Sequence, residues 1–205
     1  MAYFPMFIEL KNMPCLVIGG GAVAVRKVQV LKEFEAEVTV LSEQFVPALE
    51  ERTDIVKIKK SFERSDLSGF FLVVAATDDV ILNRSISEEC KKRNIFVNVV
   101  DQQEDCGFIF PSYLKRGEVV AAFSSGGKSP ALAKRLKQIM EENIPEETED
   151  AAEFLGRLRE RVKREIDNPL GRKQFYEKLL DMILSEHRLP EEHVVAAWIE
   201  EWRKS

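Results

Sequence analysis

Residues 16–27, LVIGGGAVAVRK, combine a short apolar strand, three consecutive glycines and the start of a helix. Gly19, Gly21 and Ala24 fit the pattern G-x-G-x-x-G/A, which is typical of a loop that binds the pyrophosphate of a dinucleotide. In such a loop Gly19 permits the tight turn, Gly21 lets the backbone approach the phosphates, and Ala24 keeps the helix close to the sheet. The helix start leaves backbone N–H groups free to face an anion. The stretch therefore predicts a dinucleotide site, and its alternative interpretation is a strand–helix turn without a ligand.

The sequence after this loop predicts an α/β fold. Residues 38–41 are rich in β-branched side chains and predict a second strand. The near-continuous apolar runs at 70–76 and 95–100 are typical of strands buried on both faces of a parallel sheet. Helical patterns separate these strands, and such alternation indicates a Rossmann-type, doubly wound parallel sheet.

The turn after residue 76 contains a candidate cofactor contact and a helix cap. Thr77 follows a predicted parallel strand, and ligands bind at the carboxyl ends of such strands. Asp79 is predicted to cap the helix at 79–93. Four apolar residues are spaced for one face of that helix: Ile81, Leu82, Ile86 and Cys90.

Composition excludes several classes of protein. The formal net charge of −5 disfavours general nucleic-acid binding, and no apolar run approaches the roughly 18 residues of a membrane span. The N-terminal residues lack the features of a signal peptide. Three scattered cysteines then indicate reduced thiols and a cytoplasmic protein. The two histidines lie in the C-terminal region without the spacing of metal ligands, so no metal site is predicted.

Two acidic residues follow predicted strands and suggest chemistry. Glu43 comes just after the second strand, where an acid usually holds the adenosine ribose. Because Glu43 would repel a 2′-phosphate, it favours NAD over NADP; its alternative interpretation is a solvated loop residue. Asp101 ends the strand at 95–100 and could accept a proton while a hydride leaves for a nicotinamide. Its alternative interpretation is a turn-forming residue.

The pattern changes after Asp105 to a small α+β region. Strands are predicted at 107–111 and 118–124. The stretch SSGGKSP at 124–130 then leads into a helix with Ser129 as its N-cap. This stretch lacks the spacing of a Walker motif, so a nucleoside triphosphate site is not predicted. Four basic residues could seat a carboxylate-rich substrate or form a solvated face: Lys115, Arg116, Lys128 and Arg135.

The order of these motifs resembles one known family. The chain resembles the precorrin-2 dehydrogenases, which comprise the N-terminal part of sirohaem synthase and its stand-alone relatives. The matching motifs, in chain order, are FPMF at 4–7, VIGGG at 17–21 with Arg26-Lys27, AATDD at 75–79, NVVD at 98–101, FIFP at 108–111 and SSGGKSP at 124–130.

The resemblance implies NAD-dependent dehydrogenation of precorrin-2 to sirohydrochlorin by a homodimer. The exposed faces of apolar strands between residues 108 and 123 are expected to pair with a second copy. Some members of the family also insert ferrous iron, so a bifunctional dehydrogenase and ferrochelatase is one alternative. A non-catalytic NAD-sensing module is an alternative of another class. The implied domains are an NAD-binding Rossmann domain at 1–112, a dimerisation region at 113–145 and a helical domain at 146–205.

The resemblance also implies roles for individual residues. It places four residues against the cofactor: Ala22, Val23, Glu43 and Gln44. It places Asp101 at the reaction centre, with Asp105 as a second candidate for the base. A serine of the SSGG motif is expected beside the substrate, and Ser125 is preferred over Ser124.

Overall fold

Five parallel strands form the sheet that the glycine motif predicts, in a computed structural model that describes residues 3–203. The strand order is β3-β2-β1-β4-β5. The strands are β1 (Pro14–Ile18), β2 (Glu37–Ser42), β3 (Val56–Lys59), β4 (Leu72–Ala75) and β5 (Phe96–Val99). Because β1 lies between β2 and β4, the direction of winding reverses beside β1, which is where doubly wound folds bind ligands.

Two long helices cover opposite faces of this sheet, which confirms the predicted doubly wound architecture. Helix α1 (Ala22–Glu33) packs Val28 and Leu31 against a core that includes Val17 of β1. Helix α3 (Val80–Lys92) packs on the other face, in a core that includes Ile18. Consecutive residues of β1 are therefore buried on opposite faces, as the continuous apolar strands predict. The short helix α2 (Pro47–Glu50) and two 3₁₀ turns (Arg64–Leu67 and Gln103–Asp105) complete this part of the chain.

The predicted apolar face of α3 is wrong at one position. The side chain of Ile81 is 82% exposed, whereas Asn83 and Ser87 are buried. Asn83 is hydrogen-bonded to Thr77, and the Ser87 hydroxyl donates to the carbonyl oxygen of Asp105. The buried face of α3 therefore includes these two hydrogen-bonded polar residues and leaves Ile81 outside.

The second part of the chain begins at Pro111, because the contacts divide the chain into two units between Phe110 and Pro111. Its two strands, β6 (Ser112–Arg116) and β7 (Val119–Phe123), are antiparallel. The predicted strand at 107–111 is wrong: the amides of Gly107 and Phe108 instead bond to the carbonyl oxygen of Val97. Four helices follow: α4 (Pro130–Asn143), α5 (Thr148–Glu165), α6 (Pro169–Glu186) and α7 (Glu192–Arg203).

Helices α5, α6 and α7 share one hydrophobic core. Its fully buried side chains include Val162 of α5, Phe175 and Leu179 of α6, and Ile199 of α7. The predicted helical C-terminal region is therefore confirmed. In the part of the chain that the structure describes, no helix is long and apolar enough to cross a membrane.

Candidate functional site

The first glycine loop (residues 19–21) connects β1 to α1 and is held rigidly at its first two positions. Gly19 has φ +124°, and a Cβ there would lie 2.3 Å from the carbonyl oxygen of Ala76. A Cβ on Gly20 would lie 1.9 Å from the carbonyl oxygen of Gln44. The Val46 amide also donates to the Gly20 carbonyl oxygen over 2.9 Å. The loop is therefore fixed against neighbouring backbone, and neither position has room for a side chain.

Gly21 differs from its two neighbours. A Cβ at Gly21 would meet no atom within 4 Å, so this position faces open space. Gly21 is also the N-cap of α1, and no side chain accepts a hydrogen bond from the first turn of the helix. The first amides of α1 have no acceptor within the helix. The predicted anion site requires backbone N–H donors without a side-chain cap and open space for the anion, and the start of α1 offers both.

An open cavity of about 470 Å³ lies over this loop. It is lined by the segments that follow four of the parallel strands: residues 19–21, 42–46, 60–62 and 76–78. A volume of this size is typical of small-molecule sites, which measure about 300–1,000 Å³. The carboxyl edge of the sheet therefore carries a ligand-sized cavity at the place where the fold predicts one.

The sequence-predicted cofactor residues lie at this cavity or next to it. Five of them line it: Gly19, Gly21, Glu43, Gln44 and Thr77. Ala22 and Val23 are the first two residues of α1, directly after the loop. Ala24 is fully buried and lets the helix pack closely on the sheet, as the motif predicts.

Residues after β3 form a side of the cavity that the sequence analysis missed. The hydroxyl of Ser61 donates to Oε1 of Glu43, and Nζ of Lys60 lies 2.8 Å from Oδ1 of Asp66. The pairing of Ser42 with Lys59 brings the ends of β2 and β3 together. This register depends on the tertiary fold, so the sequence pattern of β3 alone carried no sign of the contact.

Thr77 is held in place by Asn83, which the sequence analysis also missed. The Thr77 hydroxyl donates to Oδ1 of Asn83 over 2.7 Å, and Nδ2 of Asn83 donates to the Thr77 carbonyl oxygen over 2.9 Å. Asp79 caps α3, because its Oδ1 accepts from the amides of Ile81 and Leu82. The predicted cap is confirmed, and an asparagine in the first turn after it was the available signal for the second contact.

Asp101 and Asp105 follow β5 and differ in their surroundings. Asp101 is exposed and has φ +59°, a left-handed conformation that aspartate adopts more readily than most residues. Asp105 is paired with Arg84, whose Nε lies 3.2 Å from Oδ2, and its side chain is 15% exposed. Burial lowers the pKa of Lys27, while the nearby Cys106 and Asp101 act to raise it. A cation therefore lies close enough to Asp101 to interact with it.

The second glycine loop (residues 124–129) belongs to the other unit and contains both candidate serines. The Ser124 hydroxyl accepts from the amide of Gly126 over 3.0 Å, and the Ser125 hydroxyl accepts from the amide of Ser129 over 2.8 Å. Ser129 caps α4 by accepting from the amide of Leu132, which confirms the predicted cap. The loop therefore supplies acceptors to its own backbone.

Arg116 and Lys128, the predicted substrate contacts, also lie in this second unit. Arg116 ends β6, and among the described residues no hydrogen-bond partner is found for its buried Nε. Lys128 is exposed within the second glycine loop. The structure also leaves Asp101 and Asp105 in the first unit, so the predicted catalytic residues are divided between the two units.

Comparison with known proteins identifies the first unit. Residues 6–112 match the family described as "Putative NAD(P)-binding", which is more than half of the chain. The chain belongs to this NAD(P)-binding family. Residues 150–192 match the sirohaem synthase dimerisation region, within the segment predicted as the helical domain.

Curated relatives of this NAD(P)-binding protein include sirohaem synthases. The chain is 45% identical over 184 residues to the siroheme synthase of Thioalkalivibrio sulfidiphilus (strain HL-EbGR7), covering 88% of the chain and 38% of that protein. It is 41% identical over 184 residues to that of Sodalis glossinidius (strain morsitans), covering 88% and 39%. The predicted resemblance is confirmed, and the chain spans about two fifths of the length of these curated relatives.

One solved structure shares the fold over nearly the whole chain. The structure "SirC, precorrin-2 dehydrogenase" superposes with a TM-score of 0.72 and covers 99% of this chain and 100% of its own. Its sequence is 22% identical, so this likeness establishes the fold.

Within residues 3–203, no group of three or more His, Cys, Asp or Glu side chains is placed to hold a metal ion.

Proposed function

We propose that this protein catalyses the NAD-dependent dehydrogenation of precorrin-2 to sirohydrochlorin. The observation that carries the proposal is that one sheet edge holds both an uncapped glycine loop and, after β5, the exposed carboxylate of Asp101. The similarity to sirohaem synthases over 88% of the chain supports this substrate class.

In this proposal the first unit binds the cofactor by its backbone and one carboxylate. The amides at the start of α1 bind the pyrophosphate, and Gly21 leaves room for it. Glu43 accepts hydrogen bonds from the ribose hydroxyls and repels a 2′-phosphate, which favours NAD. Bound NAD⁺ supplies a hydride acceptor.

Asp101 is the proposed base. Removal of two hydrogens from the substrate releases a hydride and a proton, and the Asp101 carboxylate accepts the proton. Asp105 is the second candidate, but its carboxylate is already paired with Arg84 and its carbonyl oxygen accepts from Ser87. An engaged carboxylate accepts a proton less readily than an exposed one, which supports Asp101.

The second unit is proposed to hold the substrate. Precorrin-2 carries carboxylates, which suit the cations of Arg116 and Lys128. Each serine accepts a backbone hydrogen bond and keeps its own hydroxyl proton for donation to the substrate, and Ser125 is the preferred donor.

The protein is also proposed to be a cytoplasmic homodimer. The match of residues 150–192 to a dimerisation region supports assembly through the second unit. Residues 113–145 are proposed to contribute, because Leu132, Leu136 and Ile139 of α4 are each at least 40% exposed. Reduced cysteines fit the proposed location, since none of the three forms a disulfide. Sedimentation of a monomer at micromolar concentration would contradict the dimer.

The reaction is tested by NADH formation from precorrin-2 under anaerobic conditions. Asp101→Asn is expected to lower the rate of NADH formation by about 100-fold while the affinity for NAD⁺ stays unchanged. A positioned general base typically accelerates a reaction by about this factor. Asp105→Asn tests the second candidate and is expected to retain most of the activity. Equal losses of rate in the two variants would contradict the assignment of Asp101 as the base. Binding of NAD⁺ without NADH formation would support the sensing module.

The bifunctional alternative is tested by giving sirohydrochlorin and ferrous iron to the wild-type protein. Iron insertion well above the rate without protein would support it.

A further inference from the structure

The segment after β3 carries charged and polar groups that the proposed reaction does not use. Lys60 and Ser61 line the cavity together with Glu43 and the first glycine loop. The pairing of Ser42 with Lys59 is the last of the β2–β3 register, so the residues that follow lie side by side at the carboxyl edge. In a doubly wound sheet with this strand order, this is the adenosine side of a dinucleotide site.

Ser61 restrains the carboxylate of Glu43. Its hydroxyl donates to Oε1 of Glu43, across a gap of 18 residues in sequence. One carboxylate oxygen is thereby occupied by the protein, and the other is left to accept from a ribose hydroxyl. A glutamate side chain on a loop otherwise samples many rotamers, so this contact orients it before a ligand arrives.

Lys60 is a cation that lines the same cavity as Glu43, and two acids restrain it. Its Nζ lies 2.8 Å from Oδ1 of Asp66 and 3.8 Å from Oε2 of Glu63. The other oxygen of Asp66 accepts from the backbone amide of Glu63 over 2.8 Å, which fixes the aspartate in a 3₁₀ capping box. The Lys60 ammonium donates a hydrogen bond to Asp66, which raises the pKa of Lys60, so this cation is engaged by the protein where it lines the cavity.

The net effect is an excess of negative charge around Lys60. Glu43 lines the cavity beside Lys60, and the carboxylates of Glu63 and Asp66 engage the Lys60 ammonium from outside the lining. A 2′-phosphate would meet the oriented carboxylate of Glu43 while the Lys60 ammonium is paired with Asp66 and Glu63. A 2′-hydroxyl would instead donate a hydrogen bond to the same carboxylate. Such an arrangement discriminates by repulsion as well as by attraction.

We infer that Ser61 and Asp66 are positioning residues for dinucleotide selectivity: Ser61 orients Glu43 toward the ribose, and Asp66 withholds Lys60 from a 2′-phosphate. The inference rests on the proposed binding of NAD at this cavity. It assigns discrimination between NAD⁺ and NADP⁺ to the segment after β3 as well as to the end of β2.

The test compares the dissociation constants of NAD⁺ and NADP⁺, measured by calorimetry on the full chain. Asp66→Asn keeps an oxygen for the Glu63 amide but releases Lys60, and should tighten NADP⁺ binding by roughly tenfold because a freed cation pairs with phosphate. NAD⁺ affinity should change by less than about threefold. Combined with Glu43→Gln, the shift in the ratio should reach about 100-fold. Adding Lys60→Met to this double variant should reverse most of the gain.

Ser61 is tested by loss and rescue. Ser61→Ala should weaken NAD⁺ binding by roughly fivefold, because Glu43 is no longer oriented, and Ser61→Thr should restore it since the hydroxyl is kept. Asp54→Asn is the matched charge control: Asp54 is paired with Arg52 at 2.6 Å and does not line the cavity. This substitution should leave the ratio of the NAD⁺ and NADP⁺ dissociation constants unchanged.

The outcomes separate this inference from the proposed function. If the wild-type protein binds neither dinucleotide, the proposed function fails. If it binds NAD⁺ but the ratio is the same in the wild-type protein, Asp66→Asn and the double variant, the selectivity inference is overturned while the proposed function stands. A ratio that moves equally in Asp54→Asn would also overturn it, because the effect would then follow net charge alone.

Discussion

Both glycine loops lead from a strand into a helix, yet they differ in whether side chains accept hydrogen bonds from the backbone amides at the helix start. In the first glycine loop the N-cap is Gly21, and no side chain accepts from the first turn of α1. In the second glycine loop Ser129 accepts from the amide of Leu132, and Ser125 accepts from the amide of Ser129. The first loop therefore leaves donors for an external anion, whereas the second satisfies its own.

The two loops also require glycine for different physical reasons. Gly19 and Gly20 lie against the backbone of neighbouring segments, where a Cβ would overlap carbonyl oxygens. Gly126 has open space around it but adopts φ +63°, and Gly127 adopts φ +81°. Glycine is needed for space at Gly19 and Gly20, with a positive φ as a second reason at Gly19, whereas Gly126 needs it for backbone conformation alone. A strand, a glycine pair and a helix are thus compatible with two chemistries, and the side chains at the N-cap decide between them.

The largest expected effect is on the close packing of the first loop. Gly20→Ala should destabilise the protein by about 4 kcal/mol or more, because the new Cβ would lie 1.9 Å from the Gln44 carbonyl oxygen and one backbone segment must move. Urea denaturation followed by circular dichroism measures the loss. Gly21→Ala is the matched control and should cost less than about 1 kcal/mol. A Gly20→Ala protein as stable as the wild type would remove the steric distinction between the loops.

The next largest effect is expected from a substitution that gives the first glycine loop a side-chain N-cap like that of the second. Gly21→Asp places a carboxylate at the N-cap of α1, where aspartate is favoured, and the backbone at φ −90° accepts it. Stability should be kept or slightly raised, while NAD⁺ affinity should fall by about 100-fold since the carboxylate takes the place of the phosphate. Calorimetric titration measures the affinity. Unchanged NAD⁺ binding in a folded variant would show that the pyrophosphate lies elsewhere.

A smaller effect tests the conformational role of glycine in the second loop. Gly126→Ala should cost about 1–2 kcal/mol, because alanine is strained at a positive φ although nothing blocks its Cβ. Both tryptophans, Trp198 and Trp202, lie in α7, so their fluorescence during urea denaturation reports on this unit. Gly126→Asn, which tolerates the left-handed conformation better, should recover part of the loss. Equal losses in both variants would point to a steric cause instead.

The smallest effect concerns the cap of α4. Ser129→Ala should destabilise the second unit by about 1 kcal/mol, the usual cost of removing a side-chain cap. Ser129→Asp retains an acceptor and should remain as stable as the wild type. NAD⁺ affinity should not change in either variant. A loss of NAD⁺ affinity in Ser129→Ala would show that the two loops are not independent.

Local patterns were sufficient for much of this fold. The glycine motif, the buried apolar strands and the caps at Asp79 and Ser129 each depend on residues close in sequence, and all are present as predicted. The doubly wound sheet follows from the alternation of strands and helices. The glycine motif and the two caps are local because hydrogen bonding and side-chain periodicity determine them within a few residues.

Contacts distant in sequence were not predictable in the same way. Lys60 and Ser61 join the cavity only because β3 pairs with β2 in one register. Asn83 and Ser87 are buried through hydrogen bonds to loops, which displaced Ile81 from the predicted apolar face. The first contact follows from strand pairing, and the two buried polar residues of α3 have hydrogen-bond partners outside the helix, which its hydrophobic pattern does not show.

The bonds between Thr77 and Asn83 also have a consequence for motion at the sheet edge. Asn83 is 2% exposed and receives or donates bonds at the Thr77 amide, hydroxyl and carbonyl. The amide of Thr77, although it lies in a turn, should therefore exchange its hydrogen with solvent as slowly as amides of the neighbouring strand. A turn that is already ordered loses little conformational entropy when a ligand arrives, so this part of the rim acts as a rigid template rather than a closing flap.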